Sequence, residues 1–494
     1  MTDIMSIGAR LRELAAERPG RPAVTDQHRT VTWVELDRRT NRIARGLEAA
    51  GVKQGDLVTI GLANSVDFIE ACYALWKVGA TPQPISHRLP AAEAVAVMEL
   101  AETPILIAGD SVASDKPRYD VPALLSLGDS DEPLEDRTAP IWKAPTSGGS
   151  TGRPKLILSG GPGVFDRTLP GGYRTTPDDI MVMPGPLYHN GPFTASFGGL
   201  GQGAHLIILP RFDAEETLKA IDRWRATWVY LVPTMMGRIW RLPEAVKANY
   251  ETSSLKTAWH LAAPCPPWLK EAFIHWWGAD TIMELYAGTE AQAVTIITGA
   301  EWLEHRGSVG KVAVGEMAAF DANGKQLPAG EIGEVFMRRP DGAPASYSYR
   351  GATARTLPGG WESLGDIGSF DADGYLYLAD RRTDMILVGG SNVYPAEIES
   401  ALDEHPLVQS SAVIGLPDDD LGSRVHAIVQ PREGLTEADL RAHVAGLLVT
   451  YKQPRTYEFV TENIRDDAGK VRRTQLRDER VAGGSAPSPT PSSG

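Results

Sequence analysis

Apolar residues recur at helical spacing over 6–18, where Ile7, Leu11 and Leu14 share one face. Pro19 and Pro22 end that helix, and the stretches 23–24 and 29–31 predict short strands. The helical pattern returns over 32–51 through Leu36, Ile43 and Leu47 and closes at Gly51. Runs at 56–62 and 105–108 predict strands, and 65–78 and 90–100 predict helices. The alternation resumes further on, with strands at 180–183, 204–210, 228–232, 259–263 and 281–285 and helices at 213–225 and 267–277. Asp213 is placed to cap the first of those helices, with Glu216 as its capping-box partner. Strands alternating with helices imply an α/β fold whose sheets are largely parallel and covered.

The pattern changes character after residue 330. A strand at 331–337 and the turn-rich runs DANGKQLPAG and DADGYLYL predict antiparallel hairpins. Beyond 380–384 lies a compact α+β unit, with strands at 385–388, 408–414, 426–429 and 456–460 and helices at 395–404 and 437–447. Three regions are therefore expected: a large domain over 1–380, a small one over 381–480, and a disordered Gly/Ser/Pro-rich tail over 481–494. A chain of 494 residues is too long for a single core, which agrees. The formal net charge of −14 argues against nucleic acid as a partner. Two cysteines, Cys72 and Cys265, imply no disulfide framework and suit a reducing, cytoplasmic setting. No apolar run is long enough to span a membrane.

Candidate chemistry centres on residues 147–155, SGGSTGRPK. Gly148, Gly149 and Gly152 free the backbone to turn its N–H groups inward, Ser147, Ser150 and Thr151 add hydroxyl donors, and Lys155 adds charge. Such a loop can wrap an anion, yet Pro154 and the lack of a hydroxyl after Lys155 set it apart from the common nucleotide P-loop. Three further polar clusters follow strands or turns: His189, the pair Thr289–Glu290, and Asp366. Together they make sense around a nucleotide. A glutamate can hold a magnesium ion bridging phosphates, Tyr286 can stack on a base, Asp366 can accept from ribose hydroxyls, and Arg381 can fix the ribose or phosphate end. Lys470 sits at an exposed Gly-Lys turn that could reach a neighbouring site.

These motifs, in this order, resemble those of the adenylate-forming superfamily of acyl-CoA synthetases, peptide-synthetase adenylation domains and luciferases. They are SGGSTGRPK, PLYHN (186–190), YAGTE (286–290), GDIG (365–368), RRTDMILVGGSNVYPAEIE (381–399), YKQPR (451–455) and AGKVRR (468–473). The resemblance implies a large N-terminal domain of stacked mixed sheets with flanking helices and a β-barrel-like subdomain, followed by a small mobile C-terminal domain. It implies ATP, Mg2+ and coenzyme A as cofactors. A carboxylic acid is adenylated with loss of pyrophosphate, and a thiol then displaces AMP. It places Lys470 at the adenylation step and Glu290 at the metal. Tyr286, Ala287 and Gly288 would lie along the nucleotide, Asp366 and Arg381 on the ribose, and Thr289 with Glu290 among the catalytic residues. His189 would gate the acyl pocket, and Gly389 and Gly390 would line the pantetheine tunnel.

Four positions depart from the family pattern: Ala287 and Asp380 stand for glycines, Gly148 for a hydroxyl residue, and Thr383 for the usual hinge residue. The first and third raise the alternative of a ligase weak in adenylation that receives its acyl-adenylate from a separate enzyme. The acyl-pocket segments GPFTASF, YLVPTMM, AAPCPP and MELYAG are apolar and carry no evident cation for a second carboxylate. PLYHNGPF and SHRLP resemble the branch acting on bile acids and other polycyclic or long-chain acids. A bulky terpenoid or steroid-like acid is therefore the leading substrate expectation, with fatty or aryl acids as the alternative. A non-enzymatic nucleotide-binding protein of the same fold is the alternative of another class; the sequence is silent on assembly, though homodimers are common among proteins it resembles.

Overall fold

The computed structural model describes residues 3–148, 154–169, 171–388, 391–418, 420–466 and 469–483. A 14-stranded sheet forms its frame. Six parallel strands run across one half in the order Pro22–Thr25, His205–Ile208, Ile180–Met183, Trp228–Leu231, Thr257–His260 and Ile282–Ala287. Each of the inner ones is buried along most of its length, as expected where helices cover both faces.

At Ile282–Ala287 the sheet changes sense. Val294–Thr298 pairs antiparallel with it, and the ladder continues antiparallel through Gly310–Val314, Tyr375–Arg381, Trp361–Phe370, Gly333–Arg338 and Glu316–Phe320. The expected hairpins thus extend the main sheet, which is mixed, as the resemblance implies, although the strand–helix alternation alone suggests a largely parallel one. A separate parallel sheet orders Thr81–Pro84, Leu57–Gly61, Leu106–Ala108 and Arg118–Tyr119. The segment around 147–155, read as a loop, has strands at both ends: Thr146–Gly148 pairs with Pro154–Ser159, which pairs in turn with Tyr347–Arg350.

The large core joins Trp33, Trp76, Trp228, Trp259 and Phe193 with the apolar faces of the first helices. A second core, built on Val393, Ile398, Leu402, Val413 and Leu440, belongs to the C-terminal unit. There Val408–Asp418, Gly422–Pro431 and Thr456–Phe459 form one sheet, packed by the helices Pro395–Asp403 and Glu437–Ala445. Two local expectations are corrected. Glu216 does not return to Asp213 but pairs with Lys219 at 2.9 Å, while Asp213 caps through the N–H groups of Glu215 and Glu216. The helix Arg473–Gly483 also runs into the stretch expected to be disordered.

Candidate active site

The parallel strands deliver their C-terminal ends to one edge of the sheet, where crevices for ligands open in α/β folds. Ile282–Ala287 ends there, and the turn after it carries Gly288, Thr289 and Glu290. Ala287 is extended and paired with Val294, so its position does not demand a backbone that only glycine adopts. Glu290 is buried to 5% exposure. Its Oε1 accepts from the Tyr349 hydroxyl and lies 3.5 Å from Lys155 Nζ, whose ammonium also sits 4.1 Å over the Tyr349 ring. Burial and then Glu290 push the Tyr349 phenol up, so it remains a donor. The strand pairing explains this meeting, because Lys155 and Tyr349 lie on adjacent strands of the same small sheet.

The antiparallel half adds the second group. Asp366 and Arg381 are opposite one another on neighbouring strands, with Nε to Oδ1 at 3.4 Å. Tyr286 donates its hydroxyl to Asp366 Oδ2 at 2.6 Å. Burial first, and then Asp366, raise the Tyr286 pKa well above its usual value. An aromatic ring is thereby held beside a carboxylate that has little solvent exposure.

Lys470 arrives from the C-terminal unit. Its N–H donates to Asp466 Oδ1 at 2.8 Å, and Gly469, at φ +77°, closes the turn. A Cβ on Gly469 would lie 2.5 Å from Thr234 Oγ1, so only glycine lets this turn press against the helix Pro233–Trp240. Lys470 remains solvent-accessible within the cleft. Its pKa is lowered by the protein around it and then by Arg381, against the pull of Asp466, Glu290 and Asp366. One ammonium thus feels the charges of the two carboxylates that the resemblance assigns to the metal and to the ribose.

His189 occupies the N-cap of the helix Asn190–Gln202. Directly behind it is a cation absent from the sequence reading. Lys143, 7% exposed, donates to Asn190 Oδ1, and burial pushes its pKa down to about 8 against the opposing effect of Glu290. Tyr349 was also missed; the alternation of Tyr347 and Tyr349 in YSYR was the available signal for a strand face. Ser147 and Gly148 lie on the strand Thr146–Gly148. Gly149, Ser150, Thr151, Gly152, Gly389 and Gly390 fall outside the described residues.

The AMP-binding enzyme model matches residues 11–347, and that of the AMP-binding enzyme C-terminal domain matches 397–470. The chain belongs to the AMP-binding enzyme family. It is 28% identical over 476 residues to a 2-succinylbenzoate–CoA ligase of Bacillus cereus (strain Q1), covering 94% of this chain and 97% of that one. It is 30% identical over 495 residues to the fatty acid–[acyl-carrier-protein] ligase ScoC of Streptomyces coeruleorubidus, covering 94% of both. The o-succinylbenzoate CoA synthetase of Bacillus subtilis, solved with its acyl-adenylate intermediate, superposes with a TM-score of 0.81 at 25% identity, over 96% of this chain and 98% of that one. As a member of this family the protein is an AMP-forming acid–thiol ligase acting through an acyl-adenylate. ATP, Mg2+ and coenzyme A belong to that chemistry. The donor set fits them: one buried carboxylate at Glu290 suits a hard cation whose other ligands are phosphate oxygens and water.

Proposed function

We propose that this AMP-binding enzyme activates a hydrophobic monocarboxylic acid and transfers the acyl group to coenzyme A. The observation carrying this reading is the packing of the Gly469 turn on Thr234, which brings Lys470 to the side of the large domain where it feels the charges of Glu290, Asp366 and Arg381. A bulky terpenoid or steroid-like acid is the leading substrate class, supported by the apolar character of the segments that the resemblance places around the acyl group, in which Tyr230, Met235, Met236 and Met283 are buried. Aryl and fatty acids, the classes named for its relatives, stand beside it.

In the first step a carboxylate oxygen bonds to the α-phosphorus of ATP, and the bond from that phosphorus to the bridging oxygen breaks, releasing pyrophosphate. Lys470 stabilises charge on the carboxylate and α-phosphate as they approach. Glu290, when Mg2+ is bound, holds the ion that neutralises the leaving phosphates, and Lys155 keeps a second cation beside it. Tyr286 supports the base, while Asp366 and Arg381 hold the ribose in register. Thr289 stands next to Glu290 in the same turn. In the second step the thiol sulfur bonds to the acyl carbon, the acyl–oxygen bond breaks, and AMP departs with that oxygen. His189, at the N-cap of Asn190–Gln202, borders the acyl end.

The test uses two matched assays with cholic acid, abietic acid, 2-succinylbenzoate and decanoic acid. One follows acyl-CoA formed from acid, Mg-ATP and CoA; the other starts from the synthetic acyl-adenylate and CoA without ATP. Product in both is the expected result. Product only from the adenylate would replace this reading with a ligase that relies on a separate adenylating enzyme.

A further inference from the structure

The helix Pro395–Asp403 begins without a cap of its own. Tyr394 occupies its N-cap position and makes no side-chain capping bond, and Pro395 at N1 carries no N–H. The next donor, Ala396 N–H, is satisfied from elsewhere: it donates to Asp380 Oδ2 at 2.8 Å. Asp380 lies on Tyr375–Arg381, a strand of the main sheet, whereas the helix packs on the second core. The other oxygen, Oδ1, accepts from Arg381 N–H at 2.7 Å. A carboxylate borrowed from the large sheet therefore caps a helix of the small unit, where negative charge also complements the helix dipole.

The surroundings bear on how this bond behaves. Burial raises the Asp380 pKa to about 6, while Arg473, the two N–H groups and then Glu399 act on it in lesser measure. Arg473, from the helix Arg473–Gly483, is shared with Asp384 and Glu399 at 2.8 Å each. Tyr394 also feels the Asp380 charge. Two further contacts join the same bodies: Arg241 Nη2 donates to Asp403 O at 2.8 Å, and the Gly469 turn packs on Thr234. The resemblance puts glycine at position 380, which could make no such bond.

We propose that Asp380 is a positioning residue for adenylation: reaching from the main sheet, it caps the Pro395 helix and so holds the small domain with Lys470 in the cleft. This rests on the reading of Lys470 given above. Release of the cap frees the small domain for the thiol step, so the bond favours one half-reaction over the other.

The experiment compares the full-length wild type with Asp380→Gly and Asp380→Asn. Amide hydrogen exchange is followed in the peptide containing Ala396. ATP–pyrophosphate exchange and thioester formation from the synthetic adenylate are followed from pH 5.5 to 8, with the most active acid of the panel. In Asp380→Gly, Ala396 should exchange about tenfold faster and pyrophosphate exchange should fall about tenfold in kcat, with the ATP KM changing less than twofold. Thioester formation should be unchanged or faster. Asp380→Asn keeps a carbonyl acceptor, so it should restore most of the amide protection and most of the rate. As the pH falls through about 6 the wild type should decline only to the level of Asp380→Asn, because the protonated acid and the amide each keep one carbonyl acceptor; Asp380→Asn should stay flat. Unchanged Ala396 protection and an unchanged ratio of half-reactions in Asp380→Gly would overturn the proposal. If the wild type forms thioester but exchanges no pyrophosphate, the adenylation reading fails, while the amide measurement still decides whether Asp380 is the cap.

Discussion

Two buried lysines mark how differently one residue type can be accommodated. Burial depresses both Lys77 and Lys143 to about 8. Lys77 Nζ donates to Asp37 Oδ1, Asn41 Oδ1 and Asp37 O at 2.6, 2.6 and 2.9 Å. Lys143, among the described residues, donates only to Asn190 Oδ1, and no carboxylate pairs with it. With a folded pKa below the unfolded value of about 10.5, the unfolded chain binds more protons between those two values, so stability from this group rises with pH across that window. Lys143→Met should therefore raise urea stability at pH 7 by about 1–3 kcal/mol, with the gain shrinking between pH 8 and 10.5. A loss of stability at pH 7 would show that the Asn190 bond outweighs the buried charge. Tyr286, Asp366, Arg381, Glu290 and Lys470 were singled out one by one from their motifs. Tyr349 was not, because its place beside Lys155 depends on a strand pairing between segments far apart in sequence.

Elements with their own boundary signals were the most legible. Thr32 caps Trp33–Ala49 and Glu35 returns the bond, a full capping box, and Gly51 follows the helix end at φ +94°. Thr32→Ala should lower stability by about 1 kcal/mol in urea while leaving the ratio of half-reactions as it is, which also makes it a control for Asp380→Gly. The helix Asn190–Gln202 was hidden by its glycines, which lower helix propensity. Packing explains them: a Cβ on Gly199 would lie 2.1 Å from Met181 Sδ, and one on Gly201 would lie 2.6 Å from the Phe165 ring. Those glycines let the helix lie directly against its neighbours, an effect that propensity alone does not reveal.

On the proposed roles, the reaction is divided between two bodies of the whole molecule, the main sheet region with Glu290 and Asp366 and the C-terminal unit with Lys470. Lys470→Ala should lower pyrophosphate exchange by about 10²–10³-fold while changing thioester formation from the synthetic adenylate by less than tenfold. Comparable losses in both assays would place Lys470 outside the adenylation step. The change in pattern after 380 signalled a two-body plan, and mixed sheets were implied by the resemblance, but the joining of the hairpins to the parallel strands in one sheet was not legible, because register is set by contacts between distant segments. One consequence lies in the last two residues of Tyr375–Arg381. Side chains alternate along a strand, so Arg381 faces Asp366 while Asp380 points to the opposite side and reaches the Pro395 helix. On the roles proposed above, sensing of the sugar and tethering of the small domain are odd and even beats of one rhythm. A deletion of one residue upstream in this strand would swap the two beats, turning the tether toward the nucleotide and the sugar contact toward the hinge.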